Sequence, residues 1–194
     1  MTTTIYFVRH AETDHTTSTD YTTTEEIYRP LTAKGRADSS RLSEFFYDCE
    51  VNHVYSSPFR RAVETVKPLA DRIGKKIGLE KDFRERKVSD SWIEDYEGFV
   101  EHQWADYLFH EKTGECLQTV QDRNIAATNM LLIKHRGQRL VVGSHEHAMG
   151  TVLHYYLKDF GYEEFTRIRE LRPWIVRFDF DGLECINIKD YCLE

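Results

Sequence analysis

No run in this chain is long and apolar enough to cross a membrane as a helix, which takes about 20 consecutive, mostly apolar residues. No membrane partner is therefore expected. Positive charge is also in short supply, with 26 Lys and Arg against 33 Asp and Glu and a formal net charge of -7. A broad nucleic-acid footprint needs a basic face, so no nucleic acid is expected either, although a small basic pocket for one anion stays compatible with that balance. Cysteine is sparse. Cys49, Cys116, Cys185 and Cys192 include no closely spaced pair of the zinc-knuckle or redox type, and they read as reduced thiols. There is no GxGxxG and no Walker loop, so no nucleotide or flavin box is present. Met1-Thr2-Thr3-Thr4 lacks the basic region and apolar core of a secretory signal, and the expected location is cytoplasmic.

What is present has a clear order. The 194 residues suit one domain with a sizeable core. Thr4 to Val8 reads as a buried strand, and Ala11 to Arg29 as a long polar loop beside whatever follows the strand. Thr32 is placed to cap a helix running to about Tyr47. Val51 to Ser56 reads as a second strand. Pro58 opens a second helix that Gly74 stops, and a short strand falls at about Lys76 to Glu80. The stretch 86–118 is an aromatic, charged insert of helical segments and loops, and its aromatics read mainly as packing residues. Thr119 to His135 predicts an amphipathic helix, Leu140 to Gly143 a strand, and Ala148 to Phe160 another helix. Pro173 to Phe180 and Leu183 to Ile188 alternate as strands, with Asp181-Gly182 as the hairpin turn. This order implies a three-layer α/β/α sandwich with a mostly parallel sheet and an antiparallel edge strand.

Sites in such sheets form beyond the carboxyl ends of the strands. Arg9-His10, Ser56-Ser57 and Ser144-His145 all fall there. An Arg-His pair at a strand end sets a fixed positive charge beside an imidazole, good chemistry for holding a phosphate while a nitrogen attacks it. Arg60 and Arg61 point about 100° apart on a helix, so they cannot easily share one task.

Five motifs now stand in order: Arg9-His10-Ala11-Glu12-Thr13, Pro30-Leu31-Thr32-Ala33-Lys34-Gly35, Ser56-Ser57-Pro58-Phe59-Arg60-Arg61-Ala62-Val63-Glu64-Thr65, Phe83-Arg84-Glu85 and Ser144-His145. Together they resemble the histidine phosphatase superfamily, whose fold is phosphoglycerate mutase-like. The resemblance implies a metal-independent phosphoric monoester hydrolase of the histidine acid type, with no cofactor and a small phosphorylated substrate. It implies His10 as the nucleophile that carries a phosphohistidine, and Glu85 as proton donor and acceptor. Arg9, Arg61 and His145 would grip the phosphoryl group, with Thr16 and Glu146 completing the substrate-facing set. Arg61, rather than Arg60, directly precedes the alanine, as the family's arginine does. Glu12 and Glu64 are weaker candidates for the carboxyl role.

Three departures from the family pattern stand out. Ala11 and Glu146 replace glycines that usually follow the two histidines, and Thr16 replaces a frequent asparagine. A carboxylate at 146 beside an anion site is unfavourable unless it points away or pairs with a cation. His145 and His147 form an H-x-H pair, but no third ligand has a recognisable spacing, so no metal site is expected. Two other readings remain: a phosphoglycerate mutase sharing the same phosphoenzyme, and a non-catalytic phosphate-binding module. The segment between Glu85 and His145 is short, which favours hydrolysis over the mutase. The oligomeric state is read as monomer or homodimer.

Overall fold

The first strand sets the architecture because both of its faces are apolar. The computed structural model describes residues 1–14 and 24–193, and β1 (Thr2–Arg9) lies inside a six-stranded sheet. Side chains alternate across a strand. Ile5 and Phe7 therefore enter one apolar cluster, while Tyr6 and Val8 enter another. β4 (Arg139–Ser144) splits in the same way, Leu140 and Val142 against Val141. A strand buried on both sides reads as a continuous apolar run, and it needs helices on both faces.

Those helices divide by cluster. α1 (Ala33–Phe45) and α2 (Arg60–Arg72) supply Leu42, Val66, Leu69 and Ala70 to one side. α3 (Tyr96–Ala105), α4 (Leu117–Lys134), α5 (Glu146–Tyr156) and α6 (Tyr162–Ile168) cover the other. With β2 (His53–Ser56), β3 (Ile77–Leu79), β5 (Trp174–Asp181) and β6 (Glu184–Cys192), the sheet order is β3-β2-β4-β1-β5-β6. The first four of these run parallel, while β5 lies antiparallel to β1 and β6 antiparallel to β5. This is the expected α/β sandwich. Its antiparallel part is a whole hairpin, docked through β5 directly on β1. Gly182 turns that hairpin at φ 62°, a left-handed conformation that glycine adopts without strain.

Local signals place most elements within a few residues. Thr32 caps α1, its side chain accepting from the Gly35 N–H at 2.9 Å, a contact worth about 1 kcal/mol in typical helices. Gly35 is needed for a second reason: a Cβ there would sit 2.2 Å from the Glu12 carbonyl oxygen. The motif from Pro30 to Gly35 thus presses α1 against the backbone just past His10.

Three boundaries differ from expectation. Pro58 lies two residues before α2, because the Phe59 N–H turns back to the Ser57 hydroxyl at 3.2 Å and Phe59 itself takes the extended cap position. The helix expected from Ala148 to Phe160 starts earlier, at Glu146, and stops at Tyr156. A separate helix, α6, follows it. There the Glu164 carboxylate accepts from the Gly161 N–H at 3.0 Å and opens a new first turn.

Candidate active site

The sheet register brings the three strand ends together. Arg9 pairs with Ser144 across β1 and β4, and Ser56 pairs with Gly143 across β2 and β4. The chain leaves all three strands at one edge, and the His10 N–H donates to the Ser144 carbonyl at 3.1 Å. The rings of His10 and His145 consequently lie 5.3 Å apart, nearly edge to face. His10 lines a cavity of about 760 Å³ together with Arg9, Arg61, Glu85, Glu146 and His147. His145 stands behind that lining and is fully buried.

The imidazole of His10 is oriented by the chain itself. Its Nδ1 lies 2.9 Å from the Ala11 carbonyl, so Nδ1 carries the proton and donates it. Nε2 is left as the lone-pair nitrogen. Burial pushes the His10 pKa well below the ordinary histidine value, and the charges of Arg61, His145 and Arg9 push the same way. The ring is therefore neutral at neutral pH. His145 is shifted in the same direction by burial first and then by Arg61. Its Nε2 meets the Ser57 hydroxyl at 2.8 Å, while its Nδ1 is enclosed without a partner.

The two arginines are buried and already engaged. Arg9 is 1% exposed. One of its Nη nitrogens donates to the carbonyls of Ile168, Arg169 and Leu171 at 3.1, 2.6 and 3.1 Å. The other is paired with the Glu146 carboxylate. Arg61 donates to the Glu26 carbonyl at 2.9 Å and pairs with the Glu26 carboxylate at the same distance. Burial lowers both guanidinium groups to about 10, and their acidic partners oppose that shift. Both remain charged at neutral pH. Nε of each has no hydrogen-bond partner. Arg60 instead points outward and pairs with Glu64 at 2.6 Å, which separates the two neighbours as their helical spacing requires.

Glu85 is held in place by a brace from α4. Arg123 donates to the carbonyls of Asp82 and Arg84 at 2.7 and 2.9 Å, and Glu115 pairs with Arg84 at 2.7 Å and accepts from the Lys87 N–H at 2.9 Å. The Glu85 carboxylate then accepts from the backbone N–H of Arg86 at 2.8 Å and of His147 at 3.1 Å. Burial works to raise this carboxyl. The neighbouring His147, His145 and Arg86 outweigh burial and hold it well below the usual carboxylate range. The His147 ring, 3.7 Å from the same carboxylate, is itself lowered by burial and by Arg86. Glu12 and Glu64 are used elsewhere: Glu12 accepts from the Thr32 hydroxyl at 2.7 Å, and Glu64 accepts from the Leu31 N–H at 2.9 Å.

The residues singled out from sequence therefore converge, with two adjustments. Thr16 lies outside the described residues. Glu146 faces the cavity and pairs with two cations, Arg9 and, at 3.2 Å, Arg169. Several lining residues were not anticipated: Glu26, Arg29, Arg169, Arg172, Tyr96 and Trp92. A hint existed for the first two, an acid and a base three apart just before Pro30, and they do pair at 2.5 Å. Among the described residues, no cluster of three or more His, Cys, Asp or Glu side chains is placed to hold a metal ion.

A mostly parallel sheet that gathers His10, Arg9, Arg61 and Glu85 around one cavity, with His145 buried behind its lining, defines a recognisable class. The family pattern described as "Histidine phosphatase superfamily (branch 1)" matches residues 5–186, and the chain belongs to that family. It is 28% identical over 152 residues to "Phosphoglycerate mutase-like protein 4" of Arabidopsis thaliana, a match covering 73% of this chain and 65% of that protein. It is 27% identical over 162 residues to "Probable phosphoglycerate mutase GpmB" of Salmonella choleraesuis (strain SC-B67), covering 77% and 72% of the two chains. Among solved structures, a mycobacterial glucosyl-3-phosphoglycerate phosphatase superposes with a TM-score of 0.78 over 99% of this chain and 98% of that one, at 16% identity. A likeness at that identity is one of fold.

Proposed function

We propose that this protein is a phosphomonoester hydrolase that works through a phosphohistidine at His10, without a metal ion. The observation that carries the reading is the orientation of His10: Nδ1–H is fixed on the Ala11 carbonyl, 2.9 Å away, and Nε2 is the free, neutral nitrogen. The sequence of steps follows from elementary chemistry. Nε2 attacks phosphorus in line, the N–P bond forms, and the P–O ester bond breaks. Arg9 and Arg61 stabilise the phosphoryl oxygens, where charge redistributes during transfer. The leaving alkoxide takes a proton from Glu85. The bare pocket holds that carboxyl ionised, and the incoming phosphoryl charge raises its affinity for a proton, which the bound ester monoanion gives up to it before transfer. Water then attacks phosphorus while Glu85 takes up its proton, and orthophosphate and free His10 result.

Family membership and the fold likeness to a phosphatase support this reading. The names of the curated relatives favour one second reading, a phosphoglycerate mutase with the same first step. A mutase must shield its phosphoenzyme from water and offer the phosphate to a second hydroxyl. The two separate by product: inorganic phosphate from the hydrolase, isomer exchange of a phosphoglycerate from the mutase. Reactions with phosphorus-labelled ester, quenched in alkaline denaturant because the N–P bond is acid-labile, should trap label on the wild-type protein and none on His10→Ala, which should also lose turnover. Normal turnover in that variant would remove His10 from the mechanism. Chelators should leave turnover unchanged, and a large loss restored by a divalent ion would overturn the metal-independent scheme.

A further inference from the structure

Most cations at the cavity already have a carboxylate partner. Glu146 offsets Arg9, Glu26 offsets Arg61 and Arg29, Glu97 offsets Arg169, and Asp90 offsets Lys87. Arg172 differs. It lines the cavity, yet it makes no hydrogen bond and no ion pair among the described residues. Its Nε is enclosed without a partner, although buried polar groups are almost always satisfied. Arg172 as a whole is partly buried, and an unpaired charge at the cavity wall with its Nε shut off from water points to a ligand that supplies the match.

The local structure fixes where Arg172 stands. Arg9 grips the carbonyls of Ile168, Arg169 and Leu171, so the segment carrying Arg172 is tied to the phosphoryl end of the site through Arg9 itself. The next cation along that segment, Arg169, is occupied on both sides: it reaches Glu97 through Nη2 at 2.9 Å and Glu146 through Nε at 3.2 Å. The exposed Trp92 also lines the cavity and gives it an aromatic surface. A single phosphate gripped by Arg9 and Arg61 would leave the Arg172 charge unanswered. A guanidinium fork matches a carboxylate or phosphate with two parallel hydrogen bonds.

We infer that Arg172 is a specificity-determining residue that binds a second anionic group, a carboxylate or a further phosphate, on the phosphomonoester this site accepts. The inference rests on the hydrolase reading for the phosphoryl end alone and adds the class of substrate. Two probes of similar size test it: 3-phosphoglycerate, which carries a carboxylate, and glycerol 3-phosphate, which does not. Their dissociation constants are measured by equilibrium titration in the His10→Ala background, where ligand is not consumed, and glycerol 1,3-bisphosphate, which has no carboxylate, serves as the two-phosphate arm. The two-anion ligands should bind about tenfold more tightly than glycerol 3-phosphate, the scale of one charge-assisted contact. Arg172→Gln should bring the ratio close to one, and Arg172→Lys should restore part of it. The readout is a ratio, so a general weakening of the protein cancels. A wild-type ratio near one, or a ratio that survives Arg172→Gln, overturns the assignment. An intact, Arg172-dependent ratio, with no phosphate released from any of the three by the protein that keeps His10, would instead sink the hydrolase reading and leave the second-anion site standing.

Discussion

Replacing Glu146 by Gln removes one negative charge from the mouth of the cavity and should move stability and anion affinity in opposite directions. The carboxylate binds Arg9, which is 1% exposed, and its other oxygen reaches Arg169 at 3.2 Å. Breaking a buried ion pair from one side costs about 3–5 kcal/mol when the remaining charge is stranded. Arg9 would not be stranded, because three backbone carbonyls still hold it and the Gln amide oxygen can accept from it. A loss of about 1–3 kcal/mol is therefore expected, or a fall of roughly 3–10 °C in Tm for a chain of this size. The same change frees Arg9 for an incoming anion. If one charge-assisted hydrogen bond no longer competes, orthophosphate or vanadate should bind about tenfold more tightly. Thermal unfolding without ligand and titration with orthophosphate measure the two effects on the same preparation. Lower stability with unchanged or weaker anion binding would refute the idea that Glu146 occupies a cation the substrate needs.

Two other perturbations follow from the geometry. Glu85→Gln keeps an acceptor for only one of the Arg86 and His147 N–H groups, which the carboxylate serves with separate oxygens, and removes the transferable proton, so it should slow alkyl phosphates by about 10²–10³ and activated aryl phosphates far less; equal slowing of both classes would exclude its role as acid. The pKa values of His10, His145 and His147 are all lowered by burial. Each unfolded imidazole takes up a proton near pH 6.5 while its folded counterpart does not, so stability is complete above that pH and falls as pH drops below it. Each such group contributes a slope of at most about 1.4 kcal/mol per pH unit. Denaturant unfolding at pH 7.5 and 5.5 tests the sign, and a protein more stable at pH 5.5 would contradict it. The acid limb of kcat/KM, set by protonation of His10, should likewise lie below pH 6.5.

The sheet and the placement of the site were legible in the sequence for one physical reason. Strands buried on both faces appear as short apolar runs, and each of these runs ends in polar residues where the site forms. Tyr6-Phe7-Val8 before Arg9-His10 and Leu140-Val141-Val142-Gly143 before Ser144-His145 both show it, and the parallel register between β1 and β4 then aligns Arg9 with Ser144. Helix ends were less legible where a side chain decides them at close range. The stop of α5 at Tyr156 and the start of α6 at Tyr162 depend on Glu164 reaching the Gly161 N–H, a contact no apolar period reveals.

Charge pairing was the least legible feature, and it governs how this site differs from a bare phosphate cradle. Sequence alone marks Glu146 as a misfit next to an anion site. Only the fold brings Arg9 from β1 and Arg169 from beyond α6 onto its two oxygens, and so turns the misfit into a bridge. Glu26 acts in the same way on Arg61, from a segment 35 residues upstream. Each buried arginine of the phosphoryl end is thus matched by an internal carboxylate in the unliganded protein. That arrangement offsets the repulsion between cations crowded around one cavity, at the cost that an arriving phosphate must displace or share those carboxylates. A substrate with a second anionic group answers an additional cation, Arg172, and gains binding energy that can offset that competition. The balance between internal acids and unmatched arginine makes discrimination among phosphomonoesters a property of the pocket's charge ledger, and it ties the expected tightening of orthophosphate in Glu146→Gln to the substrate preference expected to fade in Arg172→Gln.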